Sequence, residues 1–200
     1  MKNILLACAV ALCLSPKLSA EVKVGQKAPD FTLTDTNNAA HSLSQYAGKY
    51  VVLEWVNPDC PFVKKHYESG NMQNLQKELR GKDVIWLSIC SSAEGKQGHY
   101  SAAEWNKMTA EKKAAPNAVL LDADGKVGTL YGAKTTPHMY VVNPKGVLSY
   151  MGAIDDKPST KVEDVAGTKN YVRSAVDELM AGKKVKKSQT QPYGCGVKYK

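Results

Sequence analysis

The residues of this chain best suited to chemistry are three cysteines, Cys60, Cys90 and Cys195, and a glutamate, Glu54, six positions before the first of them. A thiol attacks only as its thiolate. Its pKa falls below the free value of ~8.5 where the unpaired N–H groups and dipole of a helix start favour negative charge. The stretch Asn57-Pro58-Asp59-Cys60-Pro61 leaves an apolar run and enters a helical one. Asp59 suits the N-cap, and Pro61 suits the first turn, where its missing N–H would have had no partner. Lys64 and Lys65, one turn on, are expected to add to the effect. Cys60 is therefore the expected nucleophile. Glu54 stands among Val51, Val52, Leu53, Trp55 and Val56. Burial there should raise its pKa and suit it to carry protons near a reactive sulfur.

The elements that must position these groups follow from hydrophobic patterning. Tyr50 to Val56 is a nearly continuous apolar run of strand length, as expected of a strand buried on both faces in a parallel sheet. A helical stretch from Asp59 to about Arg80 carries Met72, Leu75 and Leu79 on one face, with a possible break at Gly70-Asn71. Val84 to Ile89 and Ala118 to Leu121 read as further buried strands, with a helix over Ser101 to about Ala114 between them. Before these, two short alternating stretches around Asn37-Asn38 predict a hairpin, since Asn tolerates the positive φ of a tight turn. After them, Met139 to Val142 and Val147 to Met151 predict a second hairpin, and Thr168 to about Ala181 a closing helix. The expected fold is thus α/β, a mixed central sheet flanked by helices with an N-terminal β-hairpin. Chemistry in such sheets gathers at the carboxyl ends of the parallel strands, where Cys60 and Cys90 lie.

Residues 1–20 have a positive start at Lys2, an apolar stretch from Ile4 to Leu14 and a Leu18-Ser19-Ala20 end that closes on a small residue, the pattern of a signal peptide cleaved near Ala20. The expected organisation is a signal peptide over 1–20, one domain over 21–182 and a basic tail over 183–200 carrying Cys195. The expected location is periplasmic or extracellular, with no transmembrane segment in the mature chain. Cleavage removes Cys8 and Cys13 and leaves an odd number of cysteines, which argues against a pure disulfide scaffold. Removing Lys2 and Lys17 from 27 basic residues leaves 25 against 19 acidic ones, a net +6, and the six lysines of the tail account for all of it. A neutral body implies no nucleic-acid partner, and the basic tail reads as a solvated end. No cofactor-binding motif is present, so none is expected.

"VVLEWVNPDCPF" together with "GAKTTPHMYVVNPKGVLSYMGAI" resembles the thioredoxin superfamily, in particular the redoxin branch of alkyl hydroperoxide reductase and thiol-specific antioxidant proteins. The likeness runs from Val24 to Gly182 and implies a thioredoxin-like fold. In that family a buried acid stands six residues before the nucleophile, as Glu54 does before Cys60. The family's cis-proline matches Thr136-Pro137, so Pro137 is expected cis, with the backbone of Thr136 facing the sulfur and open to a substrate chain. Pro61, Thr136 and Pro137 would then form the substrate-binding surface.

The departures from that pattern narrow the activity. Val63 stands where thioredoxins carry their second cysteine, so no vicinal thiol resolves a mixed disulfide. Leu53 and Asn57 replace the peroxiredoxin proline and threonine, and the only arginines, Arg80 and Arg173, fall on helices without a claim to the site. The expected function is thiol–disulfide exchange through Cys60 with a protein or small-molecule disulfide and a thiol reductant; a peroxidase acting on a hydroperoxide is the alternative. Two others are a non-catalytic binding module and a copper site built from Cys60 and His138, with His66 a weaker candidate. Cys195 is the preferred resolving thiol. The tail from Lys183 can span ~40 Å when extended, against ~20 Å for the closing helix it must retrace. Cys90, fixed on its strand, is the rival.

Overall fold

The structure, a computed structural model, describes residues 22–200. The expected signal peptide and its Cys8 and Cys13 lie outside the described residues. Seven strands form one sheet in the order β2-β1-β5-β4-β3-β7-β8. These are β1 (Thr32–Asp35), β2 (Ala40–Ser42), β3 (Val51–Trp55), β4 (Ile85–Cys90), β5 (Ala118–Leu121), β7 (His138–Val142) and β8 (Leu148–Gly152). Strands β3, β4 and β5 run parallel, β7 returns antiparallel beside β3, and β1 and β2 form the N-terminal hairpin. This is the mixed sheet that the patterning predicts.

Side chains alternate across β3 and divide the interior into two layers. Val51, Leu53 and Trp55 face a cluster with Phe31, Leu43 and Tyr131. Val52 faces the opposite cluster, built from Met72, Leu75 and Leu79 of α2 (Asn71–Gly81) and Val172, Ala175 and Val176 of α5 (Tyr171–Met180). Glu54 points to the same side as Val52, so its carboxyl is embedded in an apolar layer.

The helical stretch after Cys60 is two helices, α1 (Pro61–Glu68) and α2, parted at Gly70, whose φ of 73° breaks the run. Helix α3 (Ala102–Glu111) starts from a capping box in which Ser101 and Glu104 satisfy each other's backbone N–H groups. Helix α4 (Lys126–Tyr131) was not expected; glycines at both ends confine it to six residues, too short for a periodic signal. The two-residue strands β6 (Thr135–Thr136) and β9 (Cys195–Gly196) pair as a separate ladder. No helix among the described residues is long and apolar enough to cross a membrane.

The tail corrects a further expectation. Its lysines reach solvent, but from Ser188 to Tyr199 its backbone and several side chains are held against the domain as a strap. Ser188 and Thr190 bond to both backbone groups of Met151 at the edge of β8, each at 3.1 Å, and the Thr190 hydroxyl takes the Ala153 N–H at 2.9 Å. Farther on, the Lys198 carbonyl takes the Ala93 N–H at 2.8 Å, and Tyr199 donates to the Ala133 carbonyl at 2.8 Å.

Candidate active site

Strand β3 ends at Trp55, and a turn organised by Asn57 delivers Cys60 to the start of α1. The Asn57 side chain accepts from the Asp59 N–H at 2.9 Å, and its carbonyl accepts from the Cys60 N–H at 3.1 Å. Cys60 itself, not Asp59, is the N-cap: its φ and ψ of −69° and 123° are extended, and its carbonyl takes the first helical N–H groups, from Val63 and Lys64. The Asp59 carboxylate instead accepts from the Tyr100 hydroxyl at 3.0 Å. The expected lysine assistance is corrected for Lys65. Lys64 is exposed, whereas Lys65 is fully buried with its amine on the Lys157 carbonyl at 2.8 Å.

The Cys60 thiol is fully buried and donates to the Thr136 carbonyl at 3.0 Å, beside the cis Thr136–Pro137 bond. Directly opposite Thr136 in the β6–β9 ladder stands Cys195. The backbone of Thr136, expected to be open to a substrate chain, is instead paired with the protein's own tail. Gly194 makes this approach possible: at φ +141°, a Cβ there would run into the Thr136 carbonyl. No disulfide joins Cys60, Cys90 and Cys195.

The electrostatics of the two neighbouring thiols diverge. Burial pushes Cys60 up, but hydrogen bonds from the thiol and backbone of Cys195, from the Thr136 side chain and from the Val63 N–H outweigh it and hold Cys60 below the ordinary thiol value. Burial, together with the same contact seen from the other side, pushes Cys195 up to about 11. Of the pair, Cys60 is therefore the thiol that ionises more readily and Cys195 the one that holds its proton. Cys90 packs in the same apolar cluster with Trp105 and Val119, but its thiol is turned onto the Gly98 carbonyl at 3.3 Å, and burial raises its pKa.

Glu54 is fully buried and accepts from four donors: Trp86 Nε1 and the Ser88 hydroxyl at 2.8 Å, the Tyr67 hydroxyl at 2.9 Å and Gln76 Nε2 at 3.4 Å. Burial outweighs these bonds and raises its pKa. None of the four joins it to Cys60, so any proton between them travels indirectly. Tyr67 and Ser88 also line a mostly apolar cavity with Val56, Pro58, Val63 and Trp105. Of the residues offered for copper, His138 is bonded to Tyr140 and Lys134, and His66 to Asn71 and Tyr193. Among the described residues no three His, Cys, Asp or Glu side chains gather as metal ligands.

A buried cluster that sequence reasoning missed holds the strap two residues before Cys195. The Tyr193 hydroxyl donates to the Asp155 carboxylate and lies 3.2 Å from His66 Nε2 and 3.4 Å from Lys65 Nζ. Lys65, His66 and Asp155 are all fully or almost fully buried. Tyr193 also meets Phe62 edge-on at 5.8 Å. Both Phe62 and Lys65 belong to the helix that Cys60 caps, so the strap and the nucleophile share one support. Tyr193 and its polar partners lie far apart in the sequence and carry no periodic signal.

Comparison with known proteins bears on this site. Residues 24–151 match the sequence profile of the AhpC/TSA family. The chain is 27% identical over 125 residues to the thiol-disulfide oxidoreductase ResA of Bacillus subtilis (strain 168). It is 33% identical over 115 residues to the selenocysteine-containing peroxiredoxin PrxU of Peptoclostridium acidaminophilum. These alignments cover 62% and 56% of this chain but 64% and 55% of the relatives, so the chain spans only part of their length. A solved structure of an uncharacterized conserved protein from Geobacillus kaustophilus superposes with a TM-score of 0.77 at 26% identity, over 89% of this chain and 93% of that one. The thioredoxin domain of a thiol-disulfide oxidoreductase from Bacteroides vulgatus superposes with a TM-score of 0.53 at 21% identity, over 72% of this chain and 96% of that one, which shows a thioredoxin-like fold.

Proposed function

The chain belongs to the AhpC/TSA family, and we propose that this protein performs thiol–disulfide exchange, with Cys60 as the attacking thiol and Cys195 as the resolving one. The observation that carries this reading is the pairing of Cys195 with Thr136, whose carbonyl holds the Cys60 thiol. The Cys60 thiolate attacks one sulfur of a disulfide and forms a mixed disulfide while the other sulfur leaves as a thiolate. Cys195 gives up its proton and attacks the Cys60 sulfur. A Cys60–Cys195 disulfide forms, the second substrate thiolate leaves, and two electrons have passed from the protein to the substrate. A thiol reductant reverses the protein's oxidation. Glu54 serves as a proton reservoir behind the site.

The likeness to ResA supports disulfide chemistry, and the likeness to PrxU supports a second reading in which a hydroperoxide oxidises Cys60 to a sulfenic acid and Cys195 displaces water. Disulfide exchange is preferred because no arginine reaches Cys60 to polarise a peroxide: Arg80 donates to the Ala115 carbonyl and Arg173 pairs with Glu78. The organisation proposed is an exported protein with a signal peptide over 1–20, a redoxin domain over 21–182 and a tail that completes the site. Incubation of the Cys195→Ser variant with a small disulfide tests the exchange reading. It should stall as a mixed disulfide on Cys60 that the wild type resolves, and a variant that turns over like the wild type contradicts it.

A further inference from the structure

Among the described residues strand β6 has one hydrogen-bonding partner, β9, and β9 is the chain's own tail. An exposed strand edge beside a nucleophile would be the natural dock for an extended polypeptide, which adds to such an edge through its main chain. Here that position is taken on both residues: Gly196 faces Thr135, and Cys195 faces Thr136. The occupant is also anchored on either side. Upstream, Tyr193 sits in the buried cluster with Asp155, His66 and Lys65. Downstream, the Val197 N–H donates to the Lys134 carbonyl at 3.1 Å, and the Tyr199 ring fills the space left by Gly125 and Gly128.

We propose that the strap is a specificity element that restricts the disulfide substrate of Cys60 to small molecules. This rests on the exchange reading above. A small disulfide has only to align with the Cys60 sulfur, which needs a local shift of the thiols. A polypeptide disulfide must also seat its backbone, and every hydrogen bond it makes to this edge, at Lys134 or Thr136, has to replace one made by the strap. Displacing β9 in turn pulls on Tyr193 and Tyr199. The same residue that resolves the mixed disulfide thus holds the edge against larger substrates, and the resolving thiol stays next to Cys60 throughout.

The test compares capture of two disulfides by Cys60 in the full chain carrying Cys195→Ser, which keeps the strap and traps the adduct. The probes are 2-hydroxyethyl disulfide and insulin. With the strap intact, the small adduct should form and the insulin adduct should be scarce. Adding Tyr193→Ala, which removes the upstream anchor, or Gly194→Ala, which pushes β9 off Thr136, should raise insulin capture relative to the small disulfide by about tenfold or more. Two variants are used so that a fold lost in one, seen by circular dichroism, leaves the other to decide. Equal capture of both probes with the strap intact, or an unchanged ratio in the folded variants, overturns the filter while leaving exchange in place. Failure to form either adduct while hydrogen peroxide oxidises Cys60 overturns the exchange reading, and the filter with it.

Discussion

Cys195 and Thr136 face each other across a two-residue antiparallel ladder, and this single register brings a residue near the end of the chain to the thiol that caps α1. The pairing is set by backbone hydrogen bonds and by a glycine on the tail side, so it places the second sulfur without a vicinal cysteine. Consequences for ionisation, folding and redox chemistry follow from it.

The two thiols should titrate far apart. Cys60 is held below the ordinary thiol value by its hydrogen bonds, whereas Cys195 is pushed up to about 11. Rates of iodoacetamide modification followed by peptide should show Cys60 reacting with a midpoint below ~8.5, with Cys195 lagging until strongly alkaline pH. Reversal of that order contradicts the assignment of nucleophile and resolver.

Glu54→Gln should separate proton handling from folding. Glu54 has a raised pKa in the fold, so in acid, below ~4.3, it is protonated in both states and its ionisation costs nothing. As pH rises the unfolded chain releases the proton first. Stability that is present in acid is then lost until the folded-state pKa is passed, at ~1.4 kcal/mol per unit between the two values. Urea unfolding between pH 4 and 8 should therefore show a slope in the wild type that flattens in Glu54→Gln. The variant should also exchange disulfides more slowly, by on the order of tenfold to a hundredfold. An unchanged exchange rate makes Glu54 purely structural.

Much of this architecture was legible in the sequence, and what was not has a physical pattern. Strands β3, β4 and β5 and helices α2 and α5 carry their own hydrophobic periodicity, and Thr136-Pro137 with Glu54 six residues before Cys60 marks the fold. Asp59 carried a capping signal, yet the Asn57 turn moved the cap to Cys60 and left the Asp59 carboxylate to Tyr100. Lys65 was expected to support the thiol from one turn on, but Asp155 and Tyr193, far away in sequence, hold it in a buried cluster instead. The strap could be judged able to reach the site, but not to stay there. Its seats depend on gaps at Gly152, Gly125 and Gly128 that no local pattern advertises.

The buried cluster beneath the strap should respond asymmetrically to mutation. Lys65 Nζ and Asp155 Oδ2 are 3.8 Å apart with both side chains fully buried. Removing one charge by Asp155→Asn or Lys65→Met leaves the other without its partner and should cost ~3–5 kcal/mol. Replacing both, as Lys65→Met with Asp155→Leu, should recover most of that loss. Guanidinium unfolding of the single and double variants measures this, and additive losses contradict a paired role.

Gly152→Ala tests the upstream seat of the strap. At φ +143° Gly152 leaves space that Thr190 fills, and a Cβ there would overlap both the Thr190 hydroxyl and its backbone. The substitution should cost ~1–3 kcal/mol and expose the tail. Limited proteolysis should then cut within 183–192 at protease levels that spare the wild type. Equal resistance shows that the strap does not depend on this seat.

Peptide mapping of the protein after oxidation by one equivalent of a small disulfide decides which cysteine resolves Cys60. A single Cys60–Cys195 cross-linked peptide with Cys90 free is expected. A Cys60–Cys90 cross-link, or a Cys195 that stays free while Cys60 completes its cycle, would contradict it.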